Sequence, residues 1–109
     1  MKGDLVFYKG RFIGEQGQSC ALGSLLKSSK MTREVRNLKG VSWFYATGKY
    51  SQDVHGSVAS LIGKKLHKNI KILSLISREN ERGNWHIVTK LLKKIHLYKK
   101  AKQFAKEVL

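Results

Sequence analysis

Proline is absent from the 109-residue sequence, and Cys20 is its only cysteine. Glycine must therefore provide the strong interruptions between elements, and 10 glycines are available to do so. A single cysteine excludes an internal disulfide and a cysteine-based zinc site. This usage is typical of a reducing compartment. We expect Cys20 to be a small half-buried residue rather than a nucleophile.

Long apolar runs are also missing. No segment approaches the roughly 18 apolar residues that a membrane span requires. The apolar run within the first ten residues, MKGDLVFYKG, is too short for a signal peptide. The expectation is a cytoplasmic protein without a membrane partner.

Acidic residues are scarce: 7 Asp and Glu stand against 22 Lys and Arg, for a formal charge of +15. Solubility alone needs a net charge of only about 2–8. The basic residues run along the whole chain instead of forming a separable tail. This pattern predicts a polyanionic partner, and it favours nucleic acid over an anionic membrane.

Short β-branched and aromatic segments between glycines predict strands. We assign strands to residues 5–13, with a bend at Gly10, and to 20–26, 41–47 and 69–77. Residues 57–63 are compatible with strand or helix, and residues 27–40 with a polar basic connection that has room for a helical turn. The first part of the chain is therefore predicted to be mainly β.

From residue 85 to 109 the pattern becomes helical, with Asn84 as the expected N-cap. Apolar residues at three- and four-residue steps predict one long basic helix, with this stripe: Val88, Leu91, Leu92, Ile95, Tyr98, Ala101, Ala105 and Val108. Leu97 and Phe104 fall off the stripe. They are either contacts for a second partner or isolated exposed apolar residues.

Catalytic and metal-binding patterns are weak. The four histidines, His55, His67, His86 and His96, lack the close spacing of metal ligands. No metal, cofactor or small-molecule substrate is expected, and the chain is predicted not to be an enzyme. A nuclease site built from Lys49, Asp53 and His55 stays an alternative, although no nucleophile motif or phosphate loop accompanies it. The other interpretation of His55 is a turn residue at an RNA-facing loop.

Binding to phosphates needs only cationic side chains and accessible backbone amides at glycines such as Gly10, Gly48 and Gly56. Aromatic residues near basic positions, as in the run from Trp43 to Tyr45, could stack on unpaired bases. The residues predicted to bind RNA are Lys9, Arg11, Lys30, Arg33, Arg36, Lys39, Lys49, His55, Lys64, Lys65, Lys68, Lys90, Lys93, Lys94 and Lys100.

Four stretches, LVFYKGRFIG, REVRNLKGVSWFYATGK, VHGSV and KKLHKNIKILSLIS, occur in an order that resembles the large-subunit ribosomal protein thirty-five-A family of eukaryotes and archaea. The resemblance extends over roughly residues 2–77, and the helix from Trp85 onward has no counterpart in the family. It implies a small closed β-barrel buried against ribosomal RNA, without enzymatic activity.

The resulting expectation is a mainly β protein with two parts: a small closed β-barrel that binds RNA over residues 1–78, and one long basic C-terminal helix over 79–109. Its expected function is structural. It would stabilise ribosomal RNA in the large subunit by neutralising phosphates, beside neighbouring ribosomal proteins. The alternative is a DNA-binding regulator whose basic C-terminal helix enters a groove.

Overall fold

The described part of the chain is helical. A computed structural model describes residues 12–14, 18–38 and 54–108. Within these ranges there are six helices: α1 (Ala21–Ser28), α2 (Thr32–Leu38), α3 (Val54–Leu66), α4 (Ile70–Glu81), α5 (Trp85–Lys94) and α6 (Tyr98–Val108). No strand of a sheet occurs in them; the one β-type pairing is an isolated antiparallel bridge between Ile13 and Ser19. The predicted mainly β fold with a closed barrel is therefore wrong.

Helix α1 replaces the strand predicted for residues 20–26. Cys20 is its N-cap, and the thiol accepts the N–H of Gly23 at 3.5 Å. Residues 21–26 are all buried, so this mostly apolar segment forms a helix that the rest of the chain covers on every side. An apolar run of this length does not distinguish a buried strand from a buried helix.

The strand predicted for residues 69–77 is likewise wrong, because α4 occupies this segment. Asn69 caps the helix by accepting the N–H of Ile72 at 3.0 Å. The side chains that α4 buries, Leu73, Ile76, Ser77 and Asn80, recur at helical three- and four-residue steps. Helix α4 continues to Glu81, so the predicted boundary after residue 78 falls inside it.

The C-terminal segment is two helices instead of one. Helix α5 ends at Lys94, and His96 adopts a left-handed conformation with φ 63°, which turns the chain before α6 begins. The apolar stripe therefore changes phase after Ile95. Tyr98, expected on the stripe, is 57% exposed, whereas Phe104, expected off it, is 1% exposed. The hypothesis that Phe104 is available to a second partner is wrong.

The cap predicted at Asn84 is correct in position but not in chemistry. Asn84 precedes α5, yet its side chain makes no capping hydrogen bond to that helix. Its Nδ2 donates instead to Glu79 Oε2 on α4. Asn84 thus connects the turn to the preceding helix through this hydrogen bond.

Left-handed residues make four of the helix–helix turns: Lys30, His67, Gly83 and His96 have φ of 58°, 56°, 77° and 63°. In each turn the following N–H bonds to the carbonyl five residues earlier, as in a Schellman motif. These bonds are Met31 to Leu26 (3.1 Å), Lys68 to Gly63 (3.0 Å), Asn84 to Glu79 (2.9 Å) and Leu97 to Leu92 (2.9 Å). Glycine is the usual residue at this position, but here three of the four are not glycine.

One core lies between the helices. Helices α3 and α4 pack together as one pair and α5 and α6 as another, while α1 packs against both α3 and α4. Val35 of α2 and Trp85 of α5 pack at the margin of the core. Every described helix except α2 contributes to its largest buried side chains, which include Phe12, Leu22, Ile62, Ile76, Leu92 and Phe104.

A buried polar contact joins α1 to α4. Asn80 is 2% exposed, and its Oδ1 accepts the backbone N–H of Ala21 at 2.7 Å. The first N–H groups of a helix have no intrahelical partner, so a side chain from another helix supplies one here. The strand predicted for residues 41–47, and most of that for 5–13, lie outside the described residues.

Candidate nucleic-acid interface

All lysines of α5 and α6 except Lys100 lie opposite the buried side of the two helices. Val88 and Leu92 of α5, and Ala101 and Phe104 of α6, are buried. The lysines between these positions therefore project away from the core. Six of them are exposed, and we call this set the α5–α6 lysine surface: Lys90, Lys93, Lys94, Lys99, Lys102 and Lys106.

The α5–α6 lysine surface has little acidic compensation. Glu107 is the only carboxylate side chain from residue 85 to 108. Within residues 12–14, 18–38 and 54–108, none of the six side chains makes a hydrogen bond or an ion pair. Lys93 and Lys94 lie in the last turn of α5, and Lys106 in that of α6, where the helix dipole stabilises cations. The surface is therefore a set of available cations held on two packed helices.

Two aromatic side chains stand at the turn between these helices. The rings of His96 and Tyr98 are 5.6 Å apart and inclined by 59°. His96 Nδ1 and the Tyr98 hydroxyl are 2.7 Å apart, within hydrogen-bond distance. Both residues are exposed, so the pair adds ring surface to the lysine-rich region.

Lys100 differs from the other lysines of α6. Its Nζ donates to Ser24 Oγ on α1 at 2.6 Å and to Gln103 Oε1 at 3.2 Å. Ser24 is 2% exposed, so this ammonium group is engaged at the edge of the core. The structure therefore gives Lys100, predicted as an RNA ligand, a contact that connects α6 with α1.

The remaining predicted residues are spread over other elements. Lys64 and Lys65 are exposed at the end of α3, and Lys68 is half-buried in the following turn. Lys30 is exposed in the turn after α1, and Arg33 and Arg36 are exposed on α2. They do not belong to the α5–α6 lysine surface.

A surface depression of about 370 Å³ lies where α1 meets α2. It is lined by Lys27, Met31, Thr32, Val35 and Arg36. Two of these five side chains are cationic, and Val35 is half-buried against the core. The depression is thus a mixed surface with a basic rim.

His55 does not lie in a turn. It is the second residue of α3, and Gly56 follows it in the same helix. The prediction of an RNA-facing His-Gly turn is therefore wrong. The other members of the alternative nuclease site, Lys49 and Asp53, lie outside the described residues. So do four of the predicted RNA-binding residues: Lys9, Arg11, Lys39 and Lys49.

The sequence pattern predicts only half of the α5–α6 lysine surface. It includes Lys90, Lys93 and Lys94, because the apolar stripe of α5 has the expected phase. It omits Lys99, Lys102 and Lys106. Their three- and four-residue spacing in KKAKQFAK becomes a signal only when α6 is treated as a separate helix that buries Ala101 and Phe104.

Cys20 is buried, and desolvation raises the pKa of its thiol to about 11. This protonated thiol is poorly suited to nucleophilic attack, which requires the thiolate. Among the described residues, no three His, Cys, Asp or Glu side chains are grouped so that they could hold a metal ion. None of the helices described here has the length and apolar character needed to cross a membrane.

Comparisons of the chain with protein-family models, with curated proteins and with solved structures gave no match.

Proposed function

We propose that the chain binds nucleic acid through the α5–α6 lysine surface. The observation that carries the proposal is the presence of six exposed lysines, without ion-pair partners in the described residues, on two helices packed against each other. Exposed lysines readily contact phosphates, because these contacts do not require a special geometry. The overall charge of +15 attracts a polyanion to this surface from a distance.

Ribosomal RNA of the large subunit is the partner that we propose first, with a structural instead of a catalytic role. The net charge of +15 attracts polyanions whatever the fold, so a helical chain is compatible with this partner. Counterions released from the RNA provide the driving force, so each phosphate contact steepens the dependence of affinity on salt. Neighbouring ribosomal proteins are proposed as further partners.

A specific observation favours duplex DNA as a second candidate. Helices α5 and α6 are joined by the short turn of residues 95–97, so the segment has a helix–turn–helix order. In that arrangement, residues near the start of the second helix approach base edges. Here these residues are Tyr98, Lys99 and Lys102. A duplex sequence preference would support this candidate over ribosomal RNA.

The test measures the affinity for RNA and DNA duplexes over a range of salt concentrations. Replacing Lys93, Lys99 and Lys102 together by Gln should make the slope of log K against log salt shallower, by about 0.9 for each phosphate that the variant no longer neutralises. The matched variant replaces Lys64, Lys65 and Lys71, which are exposed on α3 and α4. It removes the same charge elsewhere, and its slope should change less.

Equal slopes for the two triple variants would contradict the assignment of the site to α5 and α6. Failure of the wild-type protein to bind duplexes and single strands alike at low salt would contradict the proposed function. Co-sedimentation with large ribosomal subunits through a high-salt gradient distinguishes the ribosomal partner, since protein found only at the top of the gradient would exclude it.

A further inference from the structure

The turn between α5 and α6 holds two exposed rings between exposed lysines. Tyr98 is 57% exposed, the highest fraction among the large hydrophobic side chains of the described residues. The centroids of its ring and of the His96 ring are 5.6 Å apart, and His96 Nδ1 lies 2.7 Å from the Tyr98 hydroxyl. Lys94 precedes the pair by two residues, and Lys99 follows it directly. Aromatic surface and positive charge are thus concentrated in six consecutive residues.

The backbone beneath these rings is fixed by the turn. The N–H of His96 donates to the Lys93 carbonyl at 3.0 Å, and the N–H of Leu97 donates to the Leu92 carbonyl at 2.9 Å. Leu97, between the two ring-bearing residues, packs against the core. The hydrogen bond between the side chains then limits their rotation. A ligand that used this surface would meet rings that are already ordered, which lowers the entropic cost of binding.

We propose that the His96–Tyr98 pair binds an unpaired nucleobase, while Lys94 and Lys99 contact the phosphates on either side of it. The proposal rests on the proposed function and specifies its ligand. Bases that are not paired expose a π-face, which stacks on tyrosine or histidine rings. Bases within a duplex are already stacked on their neighbours. The site therefore selects loops, bulges or single strands of nucleic acid.

The experiment compares two single strands of the same length in binding to the full chain, measured by fluorescence anisotropy. One strand carries bases, and the other has the same sugar–phosphate backbone with abasic positions. Base stacking on an aromatic side chain should make the base-bearing strand bind roughly 5- to 150-fold more tightly. Tyr98→Ala should remove this preference and leave the affinity for the abasic strand unchanged.

Two control variants test whether the preference comes from the Tyr98 ring, from its hydroxyl group or from any exposed apolar side chain. Tyr98→Phe retains the ring and loses the hydroxyl, so it should keep most of the preference. Ile87→Ala removes an exposed apolar side chain of α5, 45% exposed, and should leave both affinities unchanged. Oligouridylate and oligodeoxyuridylate arms show whether the base comes from RNA or DNA, since tighter binding of the former identifies RNA.

Equal binding of the base-bearing and abasic strands by the wild-type protein would overturn the proposal, and this result does not depend on any variant folding. Binding to duplexes without a preference for bases would remove only the stacking site. No binding to single strands or to duplexes would remove the proposed function together with it.

Discussion

Lys100 on α6 donates from Nζ to Ser24 Oγ on α1 at 2.6 Å, across 76 positions of sequence. The contact joins the last described helix to the first. Ser24 is buried, and its hydroxyl oxygen accepts this hydrogen bond from α6. The same lysine, judged from the sequence alone, belongs to the basic side of one long helix. In the folded chain it connects two distant helices.

The first prediction follows from that contact. Lys100→Met keeps most of the aliphatic length but removes the donor, and it should lower the free energy of unfolding by about 1–3 kcal/mol. Lys99→Met changes an exposed neighbour and should change it by no more than about 0.5 kcal/mol. Urea unfolding followed by far-UV circular dichroism measures both. Equal effects of the two substitutions would show that the contact with Ser24 contributes nothing to stability.

The second prediction concerns the left-handed turn residues. Substitutions at two of them should change the free energy of unfolding in opposite directions. A side chain other than glycine costs about 1–2 kcal/mol in this conformation, and glycine loses about 0.5–1 kcal/mol through its freer unfolded state. His67→Gly should therefore raise the free energy of unfolding by up to about 1 kcal/mol. Gly83→Ala should lower it by a similar amount or more, because its φ is 77°. Thermal unfolding of both variants checks the signs, and destabilisation by His67→Gly would contradict the argument.

Part of this fold is readable from the sequence, and helix α4 shows why another part is not. Its buried positions, Leu73, Ile76, Ser77 and Asn80, have helical spacing, but two of the four are polar. The apolar pattern therefore ends early, and the isoleucines of the segment favour a strand. The long-range hydrogen bond from the Ala21 N–H gives Asn80 Oδ1 a partner at that buried position, and the local sequence does not reveal this contact.

The candidate site is likewise only partly predictable from the sequence. The exposed lysines of α5 follow from the spacing of Val88 and Leu92. The lysines of α6 depend on the break at His96, which the apolar pattern does not reveal because it continues at three- and four-residue steps through Ile95. A left-handed histidine has no strong sequence signal, unlike a glycine or a proline.

Gly23 provides the third prediction. An added Cβ at this position would lie 1.8 Å from the Phe12 carbonyl oxygen, so the backbone of α1 and the preceding segment would have to separate. Gly23→Ala should lower the free energy of unfolding by about 3 kcal/mol or more, since overpacking typically costs about 1–3 kcal/mol and rigid backbone gives way least. Ser28→Ala, at an exposed position of the same helix, is the control. A fully stable Gly23→Ala protein would contradict this close approach.

The pKa of Cys20 gives the fourth prediction, on stability at alkaline pH. Burial raises the pKa of this thiol from 9.0 to about 11, so between these values the unfolded chain releases a proton that the folded chain retains. The unfolded state therefore binds fewer protons, and the free energy of unfolding should fall as pH rises from 9 through 11. The full loss is about 2–3 kcal/mol. Cys20→Ser keeps a capping side chain but does not titrate in this range, so the difference in stability between wild type and variant isolates the thiol. Parallel curves for the two proteins from neutral pH to about pH 11 would mean that the thiol is not desolvated in the folded chain.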